Sequence, residues 1–472
     1  MSTRAQKPHV DVTVPADVDV APAVKSELPQ PHAQRWRSGM RSSRIAGCAV
    51  ACIAVMAMSS TADAGTTLAA KPYMGWTTYY GIGGQFNEHT ILSVATRLRS
   101  DGLQAAGYDT VWLDWGWAGA RRRHGQIVVN PYQWPHGMAW LTSTLHAEGF
   151  DVGIYTDAGK SGCNGNGVGS LGHYQQDMDQ FAAWGFDAVK VDFCGAVQQG
   201  VSVVPRSDAF HADAASSTRS GCADMAAGDT RALPGTAHRT GEQLDPETQY
   251  REVAQAIGHT NRPMLLAVAN LWQPSEVAPG YPTMQRSAFD NYRWAPQFAT
   301  SWRTDTDIGF PGCIKWPWVL RNLAADNAHP TVAGPGHWND PDALAAGVGL
   351  THAQARSQLT MWSMLAAPLM LGGNPLTMSA RTVRMLENPR IIAVDQDGRG
   401  VQGREVAPHV WVKPLEHGEA IAFFNAGNRP LTLAWRVSGR ACNVWTGTCR
   451  PVRKMLRARV PGSTAEAWVV TG

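Results

Sequence analysis

The sequence predicts an α/β protein: a (β/α)8 TIM barrel followed by a small C-terminal antiparallel β-domain. Three observations predict it. Short β-rich runs alternate with helical stretches through most of the chain, several of those runs end in an acidic residue, and past about Gln396 the helices stop. Repeated β-then-α units require a parallel sheet. Acids at several strand ends favour a barrel, because barrel active sites are built where the parallel strands end.

In chain order, residues 1–64 read as an N-terminal extension and signal peptide. Arg35, Arg37, Arg41 and Arg44 precede an apolar run over 45–58, and Ala62-Asp63-Ala64 supplies a small-x-small cleavage pattern. Export is expected, to a secreted or periplasmic location, with no membrane anchor after cleavage because the run is short for a span. The stretch before Met40 is rich in Pro and Val, and Met40 would make a better start.

Residues 65–395 are expected to form the barrel. A first strand lies over 73–77, and Asn87 can cap a helix whose Ile91, Val94 and Leu98 share a face. A second strand over 110–113 ends at Asp114, and a third over 151–155 ends near Asp157. Leu171, Tyr174, Met178 and Phe181 then mark one helix face. In 187–195, DAVKVDFCG, a β-rich run delivers Asp192 to a strand tip with Lys190 two residues back on the same face. Around 196–245 the chain is rich in Ala, Ser, Gly and Thr and reads as a loop insertion over the active-site face. A helix over 247–257 and a strand over 264–269 follow. The run SWRTDTD over 301–307 places Arg303 and two acids at another strand end, HWNDPDAL over 337–344 reads as a turn-rich loop, and 351–365 reads as a helix. Residues 396–472, with VWVKPL, EAIAFFN, LTLAWRV and AEAWVV, read as an antiparallel β-sandwich domain.

Composition narrows the function. Of 472 residues 44% are hydrophobic and 17% charged, and a net charge of +3 gives no ground for a nucleic-acid or membrane-surface partner. There are 19 Trp against 10 Tyr, and indole faces suit a protein that buries amphipathic rings. Cys48 and Cys52 leave with the signal, so six of the 8 Cys remain, an even number suited to an oxidising compartment. Cys442 and Cys449 are close enough for a local staple, which leaves Cys163, Cys194, Cys222 and Cys313. No zinc spacing is present, and neither metal nor cofactor is implied. Two carboxylates at one barrel mouth are what glycoside hydrolysis needs. Asp192 is one candidate; spacing alone leaves Asp305 and Asp307 open for the other.

From Lys71 to Gly472 the sequence resembles glycoside hydrolase family 27, the α-galactosidase or melibiase family. The motifs are YMGWTTY, WPHGMAWLTSTLHAEGFDVGIYTDAG, the block ending KVDFC, SWRTDTDI, GPGHWNDPDAL, and MLAAPLMLGGNP before VDQD, in that order. The resemblance implies Asp192 as nucleophile and Asp307 as acid/base. It further implies sugar contacts from Asp114, Tyr155, Lys190, Arg303 and Asp342, and a disulfide between Cys163 and Cys194, with Cys222 and Cys313 as the remaining pair. Three positions depart from the family pattern: Trp115 replaces an acid that grips the axial 4-hydroxyl of galactose, Tyr79 stands for a Trp, and Asn270 for a Glu. The catalytic set is therefore intact while the residues that choose the sugar are altered.

The reading is a retaining α-glycosidase, of α-galactosidase type, acting on an oligosaccharide or polysaccharide. Trp115 also suits the isomalto-dextranase branch of the family, which releases disaccharides from an α-1,6-glucan. Two other classes fit the sequence less well. A dinucleotide fingerprint over 167–172, GVGSLG, lies too far beyond its strand. A non-catalytic carbohydrate-binding protein would not need both carboxylates with a Lys and an Arg beside them.

Overall fold

The computed structural model describes residues 68–162, 167–193, 201–203, 237–239, 244–269 and 290–472. Asn270, Cys163, Cys194 and Cys222 lie outside these residues, as does the expected signal peptide.

Eight parallel strands form one sheet: β1 (Met74–Thr77), β2 (Thr110–Leu113), β3 (Asp151–Asp157), β4 (Ala188–Asp192), β5 (Leu265–Ala269), β6 (Ser301–Arg303), β7 (Trp338–Asp340) and β8 (Leu369–Leu371). Each of β1 to β6 pairs with the next, and β8 pairs back onto β1. Leu344 closes the remaining seam, donating to the Met370 carbonyl at 2.7 Å and accepting from Gly372 N at 2.8 Å. The sheet is thus a barrel.

The helices α1 (Glu88–Ser100), α2 (Met138–Ala147), α3 (Tyr174–Trp184), α4 (Pro246–Gly258), the short α5 (Asn291–Trp294), α6 (Trp316–Asn327), α7 (His352–Leu365), α8 (Ala380–Leu386) and α9 (Pro389–Asp395) alternate with them. Local chemistry sets their starts. The Asn87 side chain accepts from Thr90 N, and Thr351 and Gln354 form a capping box that opens α7. Leu171 lies in the turn before α3, outside the helix face expected of it. The stretch 337–344 contains β7, where a turn-rich loop was expected. A strand of three residues, Trp338–Asp340, is too short to show a period in sequence. Within 196–245, Val201–Val203 and Ala237–Arg239 pair antiparallel.

Period-two alternation stacks the inward residues in layers. Trp112, Gly153, Ala188 and Leu265 are register partners in one layer; Tyr155, Lys190 and Ala267 lie above them, then Asp157, Asp192 and Ala269. Trp112, Ala188, Ala267 and Met370 form a small apolar cluster inside the barrel, and this is the floor of the site. The Trp112 indole fits only because Gly153 has no side chain: a Cβ there would run into the ring.

Eight antiparallel strands follow: β9 (Arg404–Ala407), β10 (Val410–Pro414), β11 (Glu419–Asn425), β12 (Leu431–Arg436), β13 (Gly439–Asn443), β14 (Cys449–Val452), β15 (Met455–Val460) and β16 (Thr464–Thr471). A six-stranded sheet, β9-β10-β11-β16-β13-β14, and the pair β12-β15 share a core of Val410, Ile421, Phe423, Leu456, Val460 and Trp468. Cys442 and Cys449 are disulfide-bonded across β13 and β14. Cys313 is also disulfide-bonded. α7 carries this layer through an Arg356–Glu466 pair at 2.5 Å and the buried Lys413, whose Nζ donates to the Ser363 carbonyl at 2.9 Å.

Because Trp112 lies under the site, Gly153→Ala is expected to destabilise the fold by about 1–3 kcal/mol through forced movement of the indole. Chemical denaturation measures this, and an unchanged midpoint would show that the floor tolerates the added methyl.

Candidate active site

The C-terminal ends of the strands gather an unusual density of charge. Lys190 and Arg303 point inward from β4 and β6, and Asp114, Asp192, Asp307, Asp340 and Asp342 surround them. Lys190 Nζ donates to Asp114 Oδ2 at 2.8 Å and lies 3.8 Å from Asp192 Oδ1. Its ammonium also sits 5.6 Å from the centroid of the Tyr79 ring and 5.7 Å from that of Tyr155. Arg303, only 4% exposed, donates from Nη2 to Asp307 Oδ1 at 2.9 Å and lies 2.6 Å from Asp342 Oδ2.

The two acids in the β6 loop part company. Asp307 joins Arg303, whereas Asp305 turns to Arg321 of α6, 3.4 Å away. Asp342 both shapes a turn and serves the site. Its φ is 81°, a left-handed conformation that a non-Gly residue adopts only when held there. Its own side chain does the holding: it accepts from Ala343 N at 2.6 Å, from Ile308 N at 2.9 Å and from the Tyr80 hydroxyl, while Trp362 Nε1 donates to its carbonyl at 2.6 Å. Tyr80 and Asp340 have no place in the sequence-based set. Asp340 stands in register with Arg303, and its carboxylate accepts from Asp342 N at 2.9 Å. The sequence signal was available, as the first acid in NDPD.

Burial sets the protonation chemistry. It pushes the Asp192 carboxyl up; Lys190 pulls it back, Asp114 and Asp307 add to the rise, and the result is about 7. Burial likewise raises Asp342 to about 6 against the pull of Arg303. For Lys190 burial works downward, but Asp114, Asp192 and Asp307 outweigh it and its pKa rises, so the ammonium stays charged. Burial, followed by Asp307, Asp114, Asp192 and Asp342, drives the Tyr79 phenol far up, leaving a neutral hydrogen-bond donor among carboxylates.

Trp115 sits at the margin. Its ring packs over Gly84, where a Cβ would come within 2.6 Å of it. With Trp117, Tyr155 and Val168 it lines a cavity of about 210 Å³ beside the charged cluster. The structure therefore brings together Tyr79, Asp114, Tyr155, Lys190, Asp192, Arg303, Asp307 and Asp342, with Trp115 alongside. The GVGSLG stretch begins ten residues after β3 ends, so it makes no strand-to-helix phosphate turn.

A barrel whose strand ends converge on paired carboxylates, a lysine and an arginine has the architecture of a glycoside hydrolase. Comparison with known proteins gives the family: the chain belongs to Melibiase_2, the alpha galactosidase A family, whose model matches residues 84–210 and 234–397. It is 27% identical over 460 residues to alpha-galactosidase A of Cellvibrio japonicus, covering 89% of this chain and 97% of that one. It is 30% identical to alpha-galactosidase 3 of Arabidopsis thaliana, covering 79% and 73%. The crystal structure of alpha-galactosidase I from Mortierella vinacea has the same fold, with a TM-score of 0.67 at 21% identity, covering 87% of this chain and 100% of that one. By family the chain is a glycosidase of the α-galactosidase type, which implies an oligosaccharide substrate.

A carboxyl held at about 7, against 3.8 for the ordinary group, costs the folded state free energy once it is charged. The cost is absent below pH 3.8, grows as pH rises, and is complete above about 7. Asp192→Asn removes the charge while Lys190 keeps Asp114, so this variant should be more stable than wild type at pH 8 by on the order of 2 kcal/mol. The gain should vanish near pH 4. Thermal unfolding at the two pH values checks both the sign and the window; a variant less stable at pH 8 would contradict it.

Proposed function

We propose that the protein is an exported, retaining glycosidase that releases terminal α-linked sugars, with α-galactosides as the first substrate class. The observation that carries the reading is the pairing of Asp192 with Lys190 and of Asp307 with Arg303 at one barrel mouth. The names of the curated relatives support the galactoside, and the Arg-rich, apolar, small-x-small start of the chain supports export.

In this reading the Asp192 carboxylate attacks the anomeric carbon while Asp307 gives its proton to the glycosidic oxygen, and the aglycone leaves. Asp307, now charged, takes a proton from water; the hydroxyl adds to the anomeric carbon and the bond to Asp192 breaks. Lys190 stabilises the charged nucleophile, and Arg303 fixes Asp307 against Asp342. Tyr79 and Asp114 supply a donor and an acceptor for sugar hydroxyls.

Asp192→Asn should lose turnover with its fold intact, and wild-type activity in that variant would end the assignment. Because Asp192 must be charged to attack, kcat/KM should fall as pH drops through its raised pKa. Lys190→Met removes the group that lowers this pKa, so the acid limb should move to higher pH. Full pH profiles of the two enzymes decide the point, and coincident acid limbs would mean that Lys190 does not act on Asp192.

One observation favours a second reading. Trp115 offers a ring face at a cavity sized for a further sugar ring, where a typical member is expected to place an acid. That arrangement suits an α-1,6-glucan held by more than its terminal ring, as in the isomalto-dextranase branch. Assays on aryl α-galactoside and on dextran side by side separate the two. Galactose release with no isomaltose supports the first reading; brisk isomaltose release with negligible galactose replaces it by the second.

A further inference from the structure

The overall charge of +3 conceals a strong segregation. Between 420 and 465 the chain has eight cations, Arg429, Arg436, Arg440, Arg450, Arg453, Lys454, Arg457 and Arg459, and no acid, which leaves the remaining residues at −5. All eight are exposed. Among the described residues none of them forms an ion pair; the pairs of this layer run through Arg356 and Glu466 instead.

The fold concentrates them. Along β15 the inward Leu456, Ala458 and Val460 leave Arg457 and Arg459 on the outer face, one strand repeat apart. Arg436 ends β12 on that same face, opposite Met455. The β12–β13 connection is hydrogen-bonded to the β14–β15 connection, Val437 N donating to the Lys454 carbonyl at 3.0 Å, which brings Arg436 and Arg440 to Arg453 and Lys454. Arg450 of the edge strand β14 reaches across and donates to the Arg457 carbonyl at 2.8 Å. Four strands and one connection thus bring seven of the eight cations to one corner.

Edge strands are often charged merely to block pairing with another chain, but mixed or single charges suffice for that. A surface of one sign, with the opposite sign excluded over 46 residues, is held against its own repulsion. We propose that this corner is a docking site for an anionic polysaccharide, a linear polyuronate or a similarly charged glycan, which holds the enzyme on the material that carries its substrate. The chemistry of the patch selects this partner. Its cations are spread over an exposed strand face and its turns, which suits an extended chain of repeating carboxylates. Met455 is its only exposed large apolar residue, too little for insertion into a membrane interface, and no aromatic face stands out of it for stacked bases. The docking needs no catalytic assignment and would hold under either reading of the sugar.

The test uses the full-length protein and polygalacturonate, with dextran as the neutral control. Wild type should be retained on immobilised polygalacturonate at about 0.05 M salt, released as salt rises, and not retained on dextran. The variant Arg453→Glu/Lys454→Glu/Arg457→Glu should bind about tenfold or more weakly while keeping wild-type hydrolysis of a small aryl glycoside, which shows that it folds. Failure of wild type to be retained, or retention unchanged in the variant, overturns the proposal. So does tighter binding to phosphatidylglycerol vesicles or to single-stranded DNA than to polygalacturonate at equal charge, which would assign the corner to that partner.

Discussion

The structure is organised around a shortage of positive charge at the barrel mouth. Asp114, Asp192, Asp307, Asp340 and Asp342 share two cations, Lys190 and Arg303, in a setting largely closed to water. Coulombic attraction strengthens there, but so does the repulsion among unpaired carboxylates. The site therefore retains a proton into the neutral range, seen as the raised Asp192 and Asp342. Two cations among five acids let the cluster keep a proton that five matched pairs would give up.

Such a cluster persists only because the surrounding structure overdetermines it. Strand register places Tyr155 beside Lys190 and Asp157 beside Asp192, so one slip in β3 would turn Tyr155 and Asp157 outward. The small Ala267 and Ala269 on β5 keep the centre open, and the Trp112 floor closes it from below. Asp342 is fixed by three donors apart from Arg303, which explains how a left-handed Asp is tolerated at the site.

Much of this was legible in the sequence because the signals were local. Strand β4 announces itself by a β-rich run ending in Asp192, and α1 by Asn87 at its cap. What was not legible depends on partners far away in the chain. β7 has three residues between turn formers, and only its pairing with β6 makes it a strand. The choice between Asp305 and Asp307 is made by Arg321, which lies a helix away. Tyr80 carries no motif, and its role as donor to Asp342 appears only when residues 262 apart in sequence meet. The cationic corner escaped for the opposite reason: whole-chain charge averages it away.

The end of β2 sets a carboxylate and an indole side by side. Asp114 points inward and is already engaged through both oxygens, Oδ2 by Lys190 at 2.8 Å and Oδ1 by the Trp115 backbone N at 2.8 Å. Each carboxylate oxygen still has a second lone-pair direction, so Asp114 can accept one hydroxyl per oxygen, along directions fixed by those two bonds. Trp115 can accept none. Its indole, backed by Gly84, presents area where an acid would have presented lone pairs. Discrimination by a hydrogen-bonding acid comes from the unpaired group left behind when the wrong sugar binds. An indole in such a place imposes no such penalty, and under the proposed reading selectivity passes to the shape of the wall between Asp114 and the adjoining cavity.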